Sequence, residues 1–132
     1  MALQYSASVR NNPLDQVEAT AGTSARLRIY TGSAPANCAA AATGTLLVDM
    51  TLPSDWMAAA SAGSKAKSGT WQVTASGTGT AGYFRVWDSS VTTCHLQGTT
   101  GMGTGDLQLD NTNIASPQSV TINGFTLTAG NA

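Results

Sequence analysis

The stretch "GYFRVWD", residues 82–88, decides how this chain folds. Phe84 and Val86 alternate with Tyr83, Arg85 and Trp87, and a period of two puts the two sets on opposite faces of a strand. If Phe84 and Val86 fill a core, Tyr83, Arg85 and Trp87 face outward. Tyr, Arg and Trp are the residue types enriched at interface hot spots. The competing reading is a strand covered on both faces, at a sandwich edge or under an N-terminal helix. A third makes Trp87 and Tyr83 an aromatic platform for a sugar.

The same period recurs on both sides of this stretch. "ARLRIY" sets Leu27 and Ile29 against Arg26, Arg28 and Tyr30, and "TLLVDMTL" aligns Leu46, Val48, Met50 and Leu52. "TWQVTA" aligns Trp71, Val73 and Ala75, "TTCHLQG" aligns Cys94 and Leu96, and "DLQLD" aligns Leu107 and Leu109. In "SVTINGFTLT", Val120 and Ile122 share a face with Phe125 and Leu127 only if parity shifts at Asn123-Gly124. That dipeptide is either a tight hairpin turn or a bulge in one long strand. Gly, Pro, Ser, Asp and Asn separate the runs, as turn residues do. Short strands at this spacing predict a mainly β protein, an antiparallel β-sandwich over residues 25–128.

Only residues 4–21 carry helical spacing, through Tyr5, Val9, Leu14, Val17 and Ala21. Pro13 lacks an N–H and predicts a break or a kink, with the helix favoured over 13–21 and Gly22 as its stop. "SDWMAAASA", 54–62, predicts a short helix capped by Ser54, with Trp56 and Met57 as exposed apolar residues. The 132 residues form one domain, 1–132.

Ala, Thr, Ser and Gly account for 67 of the 132 residues, and charged residues for 10%, against about 25% in ordinary domains. Net charge is −1. Basic residues are scattered apart from Arg26/Arg28 and Lys65/Lys67, which argues against a nucleic-acid partner. No apolar run approaches the ~20 residues of a membrane helix. "MALQYSASVRNNP" has no basic-then-apolar leader, so the expected starting compartment is the cytoplasm. In such a chain Cys38 and Cys94 are expected as small buried or half-buried residues rather than a disulfide.

Motifs that suggest chemistry do not assemble into it. Ser64-x-x-Lys67 has the spacing of a penicillin-binding serine and its lysine, and Lys67-Ser68-Gly69 looks like the third motif of those enzymes. Both patterns need the same lysine, no Ser-Asp-Asn occurs, and the chain is short for that architecture. Residues 61–69 are therefore expected as a mobile basic loop, with Lys65 and Lys67 available to an acidic partner. Cys94 and His95 are neighbours on a strand and point apart. His95 is the only histidine, which removes most hydrolase triads, and no four-ligand metal set is visible. "GMGTG", 101–105, lacks dinucleotide-binding spacing and reads as a flexible loop. Asp106 and Asp110 read as solvated strand ends. No catalytic, cofactor-binding or metal residue is expected.

The segments "LQYSASVRNNPLDQVEATAGTSARLRIYTGSAPANCAAA", "LPSDWMAAASAGSKAKSGTW", "GTAGYFRVWDSSVTTCHLQG" and "LDNTNIASPQSVTINGFTLTAGNA" together resemble a family of small proteins from the head and structural gene region of tailed bacteriophages and prophages. The resemblance spans nearly the whole chain; Pro13 and Pro117 depart from its pattern. It implies a virion structural protein without enzymatic activity. Within that class it implies a capsid decoration or cement protein on the outer surface of the head, with a jelly-roll-like fold. The implied partners are the major capsid protein and further copies of the chain, as a dimer or trimer. Trp56, Met57, Lys65, Lys67, Tyr83, Arg85 and Trp87 are the candidate contacts. A neck or tail component and a carbohydrate-binding module are the rival classes.

Overall fold

Strand alternation and glycine-rich turns produce nine strands and one helix among the described residues, 3–129, of a computed structural model. Residues 1, 2 and 130–132 of the expected domain lie outside them. Helix α1 (Ala7–Ala21) is followed by β1 (Arg26–Thr31), β2 (Leu46–Thr51), β3 (Ser64–Ala66), β4 (Gln72–Thr74) and β5 (Gly79–Trp87). Then come β6 (Cys94–Gly101), β7 (Leu107–Leu109), β8 (Asn113–Ile114) and β9 (Ser119–Thr128). The mainly β class with an N-terminal helix is as the sequence predicts.

The strands form one curled, mixed sheet in the order β2-β1-β5-β6-β7-β9-β3, with β4 on β9 and β8 on β5. This hydrogen-bonded path differs from two separate antiparallel sheets, because β6 and β7 pair in parallel. Only residues 102–106 join that pair. Gly103 and Gly105 take φ of 73° and 80°, and a Cβ on Gly105 would lie 2.9 Å from the Thr100 carbonyl carbon. The close turn therefore depends on glycine.

One face of the curl is the core. Leu27 and Ile29 of β1, Phe84 and Val86 of β5, and Val120, Ile122 and Phe125 of β9 are all buried there. A line of rings crosses the core from β9 to β5: Trp56 to Trp71 at 6.1 Å, Trp71 to Phe125 at 5.8 Å, and Phe125 edge-on to Phe84 at 5.5 Å. Asn123-Gly124 is a bulge in one continuous strand. Gln108 pairs with Gly124 and Leu109 with Ile122, so Asn123 is the extra residue and Phe125 stays inside. A second irregularity, between Ile29 and Tyr30, places Leu47 rather than Leu46 in the core.

Helix α1 runs through Pro13 from an N-cap at Ser6, whose Oγ accepts the Val9 N–H at 3.3 Å. The break predicted at Pro13 does not occur, because hydrogen bonds hold the turns on both sides of it. Asn11 Oδ1 accepts from Gly63 N, Asp15 Oδ1 from Ala60 N, and Glu18 Oε2 from Met57 N, while Gly22 O accepts from Trp56 Nε1. These positions recur at four, three and four, so the docking face of the helix is polar. Of the apolar series, only Leu14 and Ala21 are buried; Tyr5 and Val9 are exposed.

Residues 54–62 are not a helix. Their amides bind α1 and the strand beyond, through Met57↔Lys67 and Ser61↔Ser64 bridges. Nor are 61–69 a mobile loop. Ser61 and Ser64 exchange two backbone hydrogen bonds around Ala62 and Gly63, both with positive φ, and β3 pairs with β9.

Candidate functional site

The connection from β1 to β2 folds back as a flap over the outer face of β5 and β6. Asn37 shapes it, its Oδ1 accepting the amides of Ala39 and Ala40 at 3.0 and 3.1 Å. Small side chains at 39–42 let the backbone lie close to the sheet. Tyr83 Oη donates to Thr43 O at 2.6 Å and accepts from Thr43 N at 2.9 Å. The Tyr83 ring stacks on Tyr30 at 5.0 Å. Gln97 Nε2 donates to Pro35 O at 2.8 Å.

Arg85 is the centre of this arrangement and is 0% exposed. Its Nη2 donates to Ala40 O at 2.8 Å and Asn37 O at 3.2 Å, and its Nε to Gln97 Oε1 at 3.1 Å. All three acceptors are neutral, and among the described residues no carboxylate pairs with it. On the neighbouring strand, Arg26 and Arg28 share Asp49 at 2.7 and 3.0 Å. Arg85 Cζ lies 5.4 Å from the Trp87 ring centroid, a cation–π contact. Arg85 Nη1 and Trp87 Nε1 are buried with no hydrogen-bond partner. A buried cation held only by dipoles is costly, so the flap carbonyls are what keep Arg85 in place.

Beside Arg85 a crevice of about 550 Å³ opens between the flap and the β5–β6 turn. Cys38, Ala39, Ala40 and Ala41 form one wall and Trp87, Thr92, Thr93 and Cys94 the other. The turn is held by Asp88, whose carboxylate accepts from Thr92 N at 2.7 Å, Thr92 Oγ1 at 2.6 Å and Thr93 N at 3.3 Å. These bonds, the Thr92 hydroxyl's foremost, hold the Asp88 pKa down at about 2. Trp87 pairs with Cys94 and Val86 with Leu96, leaving His95 as the extra residue of a bulge. Leu96 packs against the core, while Cys94 lines the crevice on the other side. The shared face expected for Cys94 and Leu96 is broken by that bulge. His95 instead lines a groove against α1 with Pro13, Gln16 and Val17.

The structure brings Tyr83, Arg85 and Trp87 together, but under cover. Tyr83 and Arg85 are buried and Trp87 is half-buried, so the outward-facing expectation is corrected: the flap covers that face. A buried Tyr83 cannot serve as a sugar platform. Trp56 and Met57 are also buried, not exposed, with the Trp56 ring on Trp71. Lys65 is 2% exposed, and its Nζ meets Asp15 Oδ1 at 2.8 Å, Glu18 Oε1 at 3.0 Å and Ala58 O at 2.9 Å. Burial opposes its charge, yet the hydrogen bonds to Asp15 and Glu18 prevail and hold its pKa above the ordinary lysine value. Lys67 is half-buried, donating to Gly69 O at 3.0 Å, 5.8 Å from the Trp71 ring centroid.

The exposed large apolar residues are instead Leu3, Tyr5, Val9 and Met102. Three of them fall within seven residues at the start of α1. The sequence signal was present, since Tyr5 and Val9 belong to the apolar series of the helix, but the series reads as core-facing. Comparison with protein-family models, with curated proteins and with solved structures returns no match for this chain. No helix among the described residues is long and apolar enough to cross a membrane.

Proposed function

We propose that this protein is a non-enzymatic virion structural protein of a tailed bacteriophage, a decoration or cement protein seated on the outer surface of the head. The supporting observation is the apolar strip Leu3, Tyr5 and Val9. These side chains are 69%, 43% and 51% exposed, Leu3 and Tyr5 just before α1 and Val9 in its first turn, while the helix turns Asn11, Asp15 and Glu18 to residues 57–63. Such a strip is the kind of surface that a partner covers. The whole-chain resemblance to phage head-region proteins supplies the class of partner: the major capsid protein, with further copies of the chain alongside. The same proposal includes kinship with jelly-roll sandwiches, since β2–β1–β5–β6 and β7–β9–β3 pack over one shared core.

Purified particles test this by quantitative mass spectrometry and imaging. Copy number comparable with the major capsid protein, and density on the head, is the expected result. A ring's worth of copies moves the protein to the neck or tail, and absence from particles ends the virion reading. A Leu3→Ser/Tyr5→Ser/Val9→Ser variant should keep its fold, since exposed substitutions cost within about 0.5 kcal/mol each, and should lose its place on the particle. Undiminished binding by that variant would move the contact away from the strip.

A further inference from the structure

Cys38 and Cys94 stand 56 positions apart in sequence, yet they line the same crevice, one from the flap and one from β6, and Cys38 is near enough to help raise the Cys94 pKa. Two separate features of the fold bring them there. On the flap, Arg85 binds the carbonyls of Asn37 and Ala40, which bracket Cys38 on both sides. On the sheet, the bulge at His95 turns Cys94 to the Trp87 side, where its Sγ donates to Leu96 O at 3.2 Å. Both thiols are free and half-buried at the crevice wall.

We propose that Cys38 and Cys94 form a redox-sensitive pair, which a low-molecular-weight disulfide oxidises to an intramolecular bond that pins the flap to β6 across the crevice. The thiolate of Cys38 attacks one sulfur of the reagent, forming a mixed disulfide and expelling one small thiolate. The thiolate of Cys94 then attacks Cys38 Sγ and expels the second. In sum, two protein thiols and one small disulfide give one protein disulfide and two small thiols. Burial, then the Cys38 thiol, push the Cys94 pKa up to about 12, so Cys94 is placed second in the sequence, as the resolving thiol. The Arg85 cation beside Cys94 favours its thiolate for that second step. The bond closes a long loop in the unfolded chain and so stabilises the folded one. The inference is independent of the particle assignment.

The test is incubation of the full chain with oxidised glutathione at mildly alkaline pH, followed by intact mass and peptide mapping. The expected product is a monomer lighter by two hydrogen atoms. Its Cys38 and Cys94 peptides are linked, its melting temperature rises by several degrees, amide exchange slows across residues 33–43, and dithiothreitol reverses all of these. Cys38→Ser and Cys94→Ser, each folded by circular dichroism, should show no such shift. Stable mixed disulfides at both positions, disulfide-linked dimers, or unmodified thiols in the wild type would each overturn the proposal.

Discussion

Lys65 Nζ lies 2.8 Å from Asp15 Oδ1, joining the third strand to the helix with the lysine buried and the carboxylate half exposed. Glu18 completes the site at 3.0 Å. A lysine that reads as a surface cation is thus an internal anchor, and its charge is unavailable to a partner.

Lys65→Glu should therefore fail as a probe of binding, because it places a buried carboxylate against two others. We expect a loss of about 3 kcal/mol or more in urea denaturation, with α1 detached. Lys67→Glu removes only a half-buried cation and its contact with Trp71, about 1 kcal/mol. Equal stabilities for the two variants would contradict the anchor.

Arg85→Met should leave the core standing and release the flap. The flap carbonyls of Asn37 and Ala40 lose their donor but can reach water once the flap lifts. The expected result is a stability change within about 1.5 kcal/mol, since an apolar residue replaces an unpaired buried charge. Hydrogen exchange and proteolysis should accelerate at 33–43 alone. A uniform rise in exchange across β1, β5 and β9 would show instead that Arg85 supports the whole sheet.

Asp88 predicts an acid-sensitive turn. Its folded pKa, about 2, lies below its ordinary value of 3.8. A carboxylate with a depressed pKa contributes stability that is present above the ordinary value and is lost as pH falls through the folded one. The amides of Thr92 and Thr93 should lose protection between pH 4 and 2 (the window set by those two values). Asp88→Asn should show the loosened turn at neutral pH. A carboxylate titration at the ordinary value, followed by NMR, would refute it.

The bulge at Asn123 sets which side chains of β9 face inward. Asn123→Ala keeps the extra residue and should cost within about 0.5 kcal/mol. Deleting Asn123 removes the extra residue and brings Val120, Ile122, Phe125 and Leu127 into strict alternation on one face, so the inward set is kept without the bulge. The deletion should still fold, by circular dichroism and a cooperative urea transition; loss of that transition would show that the bulge is needed for more than parity. Phe125→Ala, which breaks both ring contacts, should cost about 3–5 kcal/mol.

The sequence by itself determined the β class, most of the strands and most of the inward set, while β3 and β8 fall in stretches that read as loops. Leu27, Ile29, Phe84, Val86, Val120, Ile122 and Phe125 were legible because alternation is local and a strand reports it residue by residue. Three kinds of feature were decided only in three dimensions. The bulges at Asn123 and His95 change which face a residue meets, and they depend on the register of a distant partner strand. The docking of α1 runs through Asn11, Asp15 and Glu18 as well as the buried Leu14 and Ala21, and polar contacts show their partner only when the chain beyond them has folded back. The flap over Arg85 covers a face that alternation alone leaves open. That long-range return turns Tyr83 and Arg85 from candidate surface into interior, and brings Cys38 and Cys94 to one crevice.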